Sequence, residues 1–384
     1  MDGGSLLHRL KWTEGSTYKS IADAYASFTV ERYGKATVVF DGYCRPSTKD
    51  NTHERRKTSA VKRIVNITEA TKFVGKKEDF LSNEINKKSM IDMITTCLRQ
   101  QECHVIQAEG DADVDIVKAA VTMSSMKSTT LIGEDTDLLV LLLYHGKVDS
   151  RELYFRSDKE KPHVYDIKAL KTLLGSDVCT SLLFAHAFTG CDTTSRIFGV
   201  GKKSVFQKVI TNDGVFRSCS KLFCSPNTDH DSLENAGSKA MLSLYNGTES
   251  DTLASLRYSY LCKKVAAAKT FVTPERLPPT ASATKYHSWR TYYQVMTWMG
   301  SSENMKPSEW GWIHQEDRLV PIMMDNNPAP DLLLKMIHCN CSGVCNTLRC
   351  SCKKHGLECT GICGPCQDGN CQNVFNVPIL GDED

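Results

Sequence analysis

The sequence predicts a mixed α/β fold, a PIN-like arrangement of parallel strands flanked by helices, followed by a small zinc-stabilised, cysteine-rich tail. Short β-rich runs alternate with helical periodicity over residues 1–215, which is typical of parallel sheets. Nine of the 17 cysteines fall between Cys339 and Cys371, which predicts the tail. The predicted strands are Ala36–Phe40, His104–Gln107, Thr129–Ile132 and Glu152–Phe155, and the predicted helices are Asn83–Arg99, Asp113–Met126 and Asp166–Leu174.

Composition excludes several classes of protein. The 384 residues are 41% hydrophobic and 24% charged, a balance that excludes wholesale disorder, collagen and coiled coil. The net charge of +2 creates no global basic field, so nucleic-acid binding would have to come from local patches. The longest apolar run, Leu138–Tyr144, is too short to cross a membrane, and the first residues lack the apolar stretch of a signal peptide. We therefore expect a nuclear or cytoplasmic protein that is not secreted.

The remainder of the chain separates by composition. After a nuclease-like region over 1–215, residues 216–275 predict a helical extension in which Leu233–Lys264 forms one or two amphipathic helices. Residues 276–336 are rich in prolines and aromatics and predict a connector. The cysteine-rich segment occupies 337–374, and an acidic tail follows over 375–384.

Carboxylates follow the predicted strands at the point where each strand ends. In open α/β sheets the carboxyl ends of the strands form the site, so we expect these side chains to converge. Clustered carboxylates repel one another unless a divalent cation binds them, and oxygen ligands suit Mg²⁺ and Mn²⁺. Helix capping is the alternative for any single aspartate. The candidates are Asp2, Asp41, Asp111, Asp113, Asp135, Asp137 and Asp192.

Five short motifs around these aspartates resemble, in the same order, those of the flap endonuclease branch of the PIN-like nucleases. The resemblance covers about residues 1–215 and implies two Mg²⁺ or Mn²⁺ ions that act on a phosphodiester. The family usually carries Glu-x-Glu where this chain has Asp111 and Asp113, and Glu109 is an alternative ligand. The motifs are Asp2-Gly3, Phe40-Asp41-Gly42, Asp111-Ala112-Asp113, Glu134-Asp135-Thr136-Asp137 and Gly190-Cys191-Asp192.

The resemblance implies a role for each aspartate. It implies that the second metal is held by Asp113, Asp135 and Asp137, with Asp192 helping through water. It also implies that Asp2 stands at the end of a central strand, yet only Met1 precedes it in this sequence. We therefore expect the neighbouring strands to present unpaired backbone groups. The ligands implied for the first metal are Asp2, Asp41, Asp111 and Asp113.

Two segments predict contacts with nucleic acid. The sequence after Asp192 is similar to a helix–hairpin–helix element, in which glycines allow a close approach to phosphate and a helix start favours an anion. In the flap endonuclease family a potassium ion often sits in this hairpin, and an arch with basic residues lies between the second and third acidic motifs. An ordinary glycine turn and a solvated basic face are the alternatives. The candidates are Gly199, Gly201, Lys202 and Lys203 in the hairpin, and Lys49, Arg55 and Arg56 in the arch.

The cysteine-rich segment predicts zinc binding. A segment this short and rich in cysteine and glycine cannot bury enough apolar surface to fold alone, so zinc–thiolate bonds would supply the folding energy. Three tetrahedral zinc ions need twelve ligand positions, and nine cysteines meet that number if three of them bridge. The spacing resembles half of a tesmin-type CXC module, which binds DNA. The candidate ligands are Cys339, Cys341, Cys345, Cys350, Cys352, Cys359, Cys363, Cys366 and Cys371.

Taken together, these patterns predict a metal-dependent, structure-specific nuclease that hydrolyses DNA by a two-metal mechanism and carries a zinc-binding, DNA-contacting tail. One alternative is an inactive nuclease fold that serves as a zinc-dependent DNA-binding or scaffold protein of mobile-element origin. Another is a PIN-type endonuclease that acts on RNA. The retained acids favour activity, and the Gly-Val-Gly hairpin favours branched or single-stranded DNA.

Overall fold

The chain divides into two units, Met1–Ala267 with Arg276–Met323 and Ala268–Glu275 with Met324–Asp384. The first unit carries almost all of the regular structure, and the second contains the cysteine cluster. The residues described by the computed structural model are 1–42, 47–49, 64–159, 161–211, 213–248, 250–267, 274–316, 318–326, 339, 341, 344–354, 358–359, 363 and 371–373.

Helices and short strands alternate through the first half of the chain. Capping residues set their limits: the Thr17 hydroxyl accepts from the Ser20 N–H at the start of α2, and Gly34 ends that helix with φ +71°. The elements are α1 (Gly3–Arg9), α2 (Tyr18–Tyr33), β1 (Thr37–Phe40), α3 (Lys77–Leu81), α4 (Glu84–Gln100), β2 (His104–Gln107), α5 (Asp113–Ser124), β3 (Thr129–Ile132), α6 (Thr136–His145), β4 (Leu153–Ser157) and β5 (His163–Asp166).

The second half is mainly helical. Within the described ranges, no helix is both long enough and apolar enough to cross a membrane. The elements are α7 (Ile167–Leu174), α8 (Ser176–Phe188), α9 (Lys202–Ile210), α10 (Gly214–Phe223), α11 (His230–Leu244), α12 (Leu253–Ala267), α13 (Ala281–Met299), β6 (Trp312–Gln315), β7 (Arg318–Pro321) and, in the second unit, α14 (Ser351–Lys354).

The strands form parallel pairs joined by helices. β1 pairs with β2 in parallel, with Thr37 opposite His104, and β3 pairs with β4 in parallel, with Thr129 opposite Leu153. β5 adds to β4 in the antiparallel direction, and β6 and β7 form a separate hairpin. The parallel pairing matches the prediction from alternating strands and helices, and the mixed α/β class is confirmed.

Met1 and Asp2 lie between the two parallel pairs and connect them. The Met1 amino group donates to the Thr37 carbonyl at 2.7 Å, and the Met1 carbonyl accepts from the Val39 N–H at 3.0 Å. On the other side, the Asp2 N–H donates to the Ile132 carbonyl at 2.9 Å. These bonds link β1 to β3 through two residues, so part of the backbone that we expected to be unpaired is satisfied here.

Strand β1 separates two apolar cores. Successive side chains of a strand point to opposite faces, and Val38 and Phe40 enter one core while Val39 enters the other. The smaller core lies against α1, α2 and α4, and the larger one is formed by β3, β4 and the helices from α5 onward. Because both faces of β1 are covered, its carboxyl end is the part of the strand that can reach a site.

The predicted strands and helices coincide with β1–β4, α4, α5 and α7. The predicted connector over 276–336 is different in the structure, because residues 276–323 belong to the first unit. Its aromatics include the fully buried Trp298 and Tyr292 of α13, which pack into the larger core. Burial of these rings gives α13 a structural role in place of a connecting one.

Candidate metal centres

The seven candidate aspartates lie in five separate segments, of which three follow strands, one forms a bridge to β1 at Asp2 and one, with Asp192, follows helix α8. Asp41 comes directly after β1, Asp111 and Asp113 lie between β2 and α5, and Asp135 and Asp137 lie between β3 and α6. Since β1 runs parallel to β2, and Asp2 forms a parallel bridge with Val39 of β1, these segments end on the same side. The fold therefore directs carboxylates from distant parts of the sequence toward one edge.

Asp2 and Asp41 form one part of this edge. The Asp2 carboxylate accepts from the Ser5 N–H at 3.2 Å and caps α1. Burial raises the pKa of Asp2, the Ser5 N–H opposes that rise, and the neighbouring Asp41 charge adds to it. Asp41 in turn accepts from the Ala112 N–H at 3.2 Å, which places it beside the segment that carries Asp111 and Asp113.

Gly42 allows this close approach of β1 to the loop after β2. Its N–H donates to the Gly110 carbonyl at 2.7 Å, and a Cβ at this position would overlap the carbonyl oxygens of Ala108 and Glu109. Backbone atoms cannot move aside as a flexible side chain can. The glycine of the Phe-Asp-Gly motif is therefore required to hold Asp41 against the second acidic segment.

We expect Gly42→Ala to lower the free energy of unfolding by about 3 kcal/mol, because the added methyl group overpacks a backbone contact. Gly110→Ala is the matched control, since a Cβ there meets nothing within 4 Å. Its effect should stay within about 0.5 kcal/mol. Urea unfolding of both variants measures the difference, and equal loss in the two would contradict this role of Gly42.

Lys49 lies between the two carboxylates of the second acidic segment. Its ammonium contacts Asp111 Oδ1 at 2.7 Å and Asp113 Oδ2 at 2.9 Å. Burial lowers the pKa of Lys49, but the charges of Asp113 and Asp111 outweigh burial and hold that pKa well above its ordinary value. The predicted phosphate-binding lysine is thus a cation bound by two candidate metal ligands.

Asp135 and Asp137 differ in their environments. Asp135 caps α6 by accepting from the Asp137 N–H at 3.0 Å, and burial together with the Asp137 charge raises the pKa of Asp135. Burial acts in the same direction on Asp137, but the hydrogen bond with His186 at 2.6 Å, together with nearby positive charges that include Lys49 and Lys202, outweighs it and lowers the pKa of Asp137. Asp192, in the loop after α8, is close enough that its charge also raises the pKa of Asp135.

His186 is the residue of this region that sequence reasoning missed. It lies in the apolar helix α8 and is completely buried. A buried polar side chain requires a hydrogen-bonding partner, so a lone histidine in Leu-Leu-Phe-Ala-His-Ala-Phe is the signal that could have pointed to a pair. The sequence did not indicate which residue that partner would be.

The carboxylates are near one another without forming a closed cage. Among the described residues, cysteines alone bring three or more ligand atoms within 4.8 Å of one another. Oxygen atoms are the ligands that Mg²⁺ and Mn²⁺ prefer, and the position between Asp111 and Asp113 is filled by the Lys49 ammonium. The alternative ligand Glu109 is exposed in the loop between β2 and α5, while Glu134 binds Arg9 at 2.8 Å in a separate ion pair.

The predicted hairpin lies between α8 and α9. Gly199 has φ +74°, a conformation that favours glycine, and Gly201 is the N-cap of α9. Lys203 is exposed, whereas the Lys202 ammonium lies 3.2 Å from Nδ1 of His186. Arg55 and Arg56 lie outside the described residues, so the hairpin and Lys49 are the predicted nucleic-acid contacts with known positions.

The cysteine cluster of the second unit can hold zinc. One set of four buried thiols is Cys339, Cys352, Cys359 and Cys363, and the other is Cys339, Cys345, Cys350 and Cys359. Sulfur–sulfur distances within these sets include four of 3.6 to 3.8 Å. A tetrahedron with zinc–sulfur bonds of about 2.3 Å has edges of about 3.8 Å, whereas a disulfide would bring its sulfurs to about 2.05 Å. The distances therefore fit shared zinc coordination.

The thiols of the cluster differ in how far their surroundings favour the thiolate, the form that binds zinc, and burial raises the pKa of the Cys352 thiol. Burial raises the pKa of the Cys350 thiol, but the Lys353 N–H and the neighbouring thiols outweigh burial and lower it to about 7. Cys341 and Cys371 pack against the cluster, and Cys366 lies outside the described residues.

Comparison with protein-family models finds no match to this chain, and comparison with curated proteins finds none either.

Proposed function

We propose that the first unit is a metal-dependent, structure-specific endo/exonuclease that hydrolyses DNA phosphodiesters. The observation that carries the proposal is the convergence of aspartates from separate segments on one edge of the parallel strands, around the ammonium of Lys49. A position lined by carboxylate oxygens and already holding one cation is the kind of position that Mg²⁺ or Mn²⁺ prefers. A DNA substrate would place the protein in the nucleus.

Each group of residues has a task in this proposal. Asp113, Asp135 and Asp137 would hold one metal at the start of α6, with Asp192 helping through water, while the other metal would be held by Asp2, Asp41, Asp111 and Asp113. Two such ions, when bound, activate water and stabilise the attacking and leaving oxygens of the phosphodiester. The hairpin amides and Lys203 bind a backbone phosphate without reading sequence, and a potassium ion in that hairpin belongs to the same proposal.

The cysteine cluster would be the second nucleic-acid contact. Zinc would fix its fold, and basic side chains of α14 would then face phosphates. Lys354 is the candidate of the two lysines there, because the Lys353 ammonium already donates to the Asn346 carbonyl at 2.9 Å. This part of the proposal is the one that also holds for a protein without catalytic activity.

A second function is favoured by one specific observation. If Lys49 permanently replaces a metal between Asp111 and Asp113, the fold would bind DNA without cutting it. The chain would then act through its hairpin and zinc cluster as a binding or scaffold protein. The two functions make opposite predictions for the same assay.

The test is cleavage of labelled flap, nicked-duplex and single-stranded DNA, with a matching RNA strand, in Mg²⁺ or Mn²⁺. Asp135→Asn/Asp137→Asn should lower the rate by about a thousandfold or more, because the metal loses two ligands. Asp79→Asn/Asp92→Asn removes the same charge from two exposed positions and should cut like the unchanged chain. Metal-independent cutting, or cutting that survives the first pair of changes, would refute the proposal.

Absence of cutting with zinc-dependent DNA binding retained would instead support the second function. Cutting confined to the RNA strand would keep the two-metal site and change the substrate class. The same protein variants and substrates test both of these outcomes, so a single experiment distinguishes them from the proposed DNA nuclease.

A further inference from the structure

The completely buried His186 contacts two charged groups that come from different helices. One ring nitrogen, Nε2, is 2.6 Å from Asp137 Oδ1 at the start of α6. The other, Nδ1, is 3.2 Å from the Lys202 ammonium at the start of α9. The imidazole thus lies between a candidate metal ligand and the first residue after the glycine hairpin.

The two contacts fix the position of the imidazole proton. A lysine ammonium has three donors and no acceptor, so it can bond Nδ1 only if that nitrogen has no proton. The proton of the neutral ring must then be on Nε2, from which it is donated to the Asp137 carboxylate. A ring with its proton on Nδ1 would set an N–H against the ammonium and an acceptor against the carboxylate.

The surroundings also hold the ring in place. The Trp298 ring of α13 lies with its centroid 5.7 Å from that of His186, at an interplanar angle of 31°. The backbone carbonyl of His186 in α8 accepts a hydrogen bond from the Thr189 hydroxyl. A fixed donor therefore contacts one oxygen of Asp137 and leaves the other lone pairs of the carboxylate for a metal.

We propose that His186 is a positioning residue of the metal site and that Lys202 selects the tautomer in which it acts. This inference rests on the proposed function, because it assigns Asp137 a metal to bind. Hydrogen-bonding partners of ligating side chains fix the direction of those ligands, and their loss typically weakens metal affinity about 10- to 100-fold. Lys202 also joins the hairpin that would bind DNA to the carboxylate that would bind the metal.

Replacing His186 by glutamine or by phenylalanine distinguishes a role in hydrogen bonding to Asp137 from a role in ring packing. His186→Gln keeps one donor and one acceptor on a planar side chain, so its amide can donate to Asp137 and accept from Lys202. His186→Phe keeps the ring volume and loses both bonds. We expect the affinity for Mn²⁺, measured from the EPR signal of the free ion, to fall about 10- to 100-fold in the phenylalanine variant and about threefold at most in the glutamine variant.

Lys202→Met tests the choice of tautomer. Without the ammonium, only the Asp137 contact favours a proton on Nε2, so the share of the Nε2–H form seen by nitrogen-15 NMR of labelled histidine should fall, and Mn²⁺ affinity should fall severalfold. Lys221→Met, an exposed lysine of α10, is the control and should change neither signal. Thermal unfolding of each variant identifies any that fail to fold, and His186→Gln still tests the proposal if His186→Phe is one of them.

The outcomes distinguish this inference from the proposed function. Unchanged Mn²⁺ affinity in His186→Phe, or an Nδ1–H tautomer in the unchanged chain, would overturn the positioning role and leave the metal site standing. Failure of the unchanged chain to bind Mn²⁺ would overturn the metal site itself. Loss of Mn²⁺ affinity in the glutamine variant without loss in the phenylalanine variant would mean that ring packing, and not hydrogen bonding, maintains Asp137.

Discussion

Replacing Cys359 by serine is expected to remove two zinc ions from the cysteine cluster, whereas the same change at Cys345 is expected to remove one. Cys359 and Cys339 belong to both sets of four thiols, and Cys345 belongs to only one. A thiol shared by two sets is a bridging ligand, so its loss opens both tetrahedra. The difference in the number of zinc ions lost by the two variants shows directly whether Cys359 is shared between two ions.

The effect on folding should be large. Zinc-finger peptides gain about 10–16 kcal/mol of apparent free energy from a structural zinc ion at pH 7, and a small cysteine-rich segment has little apolar core to replace it. We expect the Cys359→Ser segment to become sensitive to proteolysis at zinc levels that keep Cys345→Ser partly protected. Native mass spectrometry measures the number of ions retained, and limited proteolysis measures folding.

Cys262→Ser is the control for these variants, because Cys262 is an exposed cysteine of α12 outside the cluster. It should retain all of the zinc of the unchanged chain. Equal loss from Cys345→Ser and Cys359→Ser would contradict the bridging arrangement and would favour separate sites that share no thiol.

The sequence predicted those features of the fold and site that depend on local signals. The strands β1 and β3 are short apolar runs, and the acidic residues after them mark where each strand ends. The order of the motifs likewise indicated which carboxylates would converge, because parallel strands direct their carboxyl ends to one edge. Such signals lie within a few residues and need no knowledge of partners.

Features that depend on distant partners could not be predicted in this way. His186 and Asp137 are 49 positions apart, and Lys49 and Asp113 are 64 apart, so no local pattern pairs them. Strand β5 was missed because all four of its residues are exposed and show no alternation of apolar and polar side chains. The aromatics of helix α13 indicated a small core or a docked helix, but the core that buries Trp298 is formed by helices far away in sequence, which no local pattern identifies.

Replacing Lys49 by methionine is expected to tighten Mn²⁺ binding and, at the same time, to slow cleavage. In the structure the Lys49 ammonium occupies the space between Asp111 and Asp113, so a metal that binds there must displace it. Two unit charges 4 Å apart interact by about 4 kcal/mol at an effective dielectric constant near 20, so the displacement opposes binding appreciably. Methionine keeps most of the volume without the charge, and we expect Mn²⁺ affinity to rise about tenfold.

The cleavage rate should change in the opposite direction, because a displaced ammonium is available to a phosphate and methionine offers none. Loss of one group that stabilises developing charge typically costs about 100-fold in rate. Lys35→Met, which removes an exposed lysine paired with Glu102, should alter neither quantity. Tighter Mn²⁺ binding with faster cleavage would mean that Lys49 only competes with the metal and has no role in cleavage. Weaker Mn²⁺ binding would mean that the ammonium stabilises the carboxylates instead of competing for them. The combination of tighter Mn²⁺ binding and slower cleavage is expected only if the Lys49 ammonium pairs with the carboxylates before the metal binds and with a phosphate of the substrate afterwards.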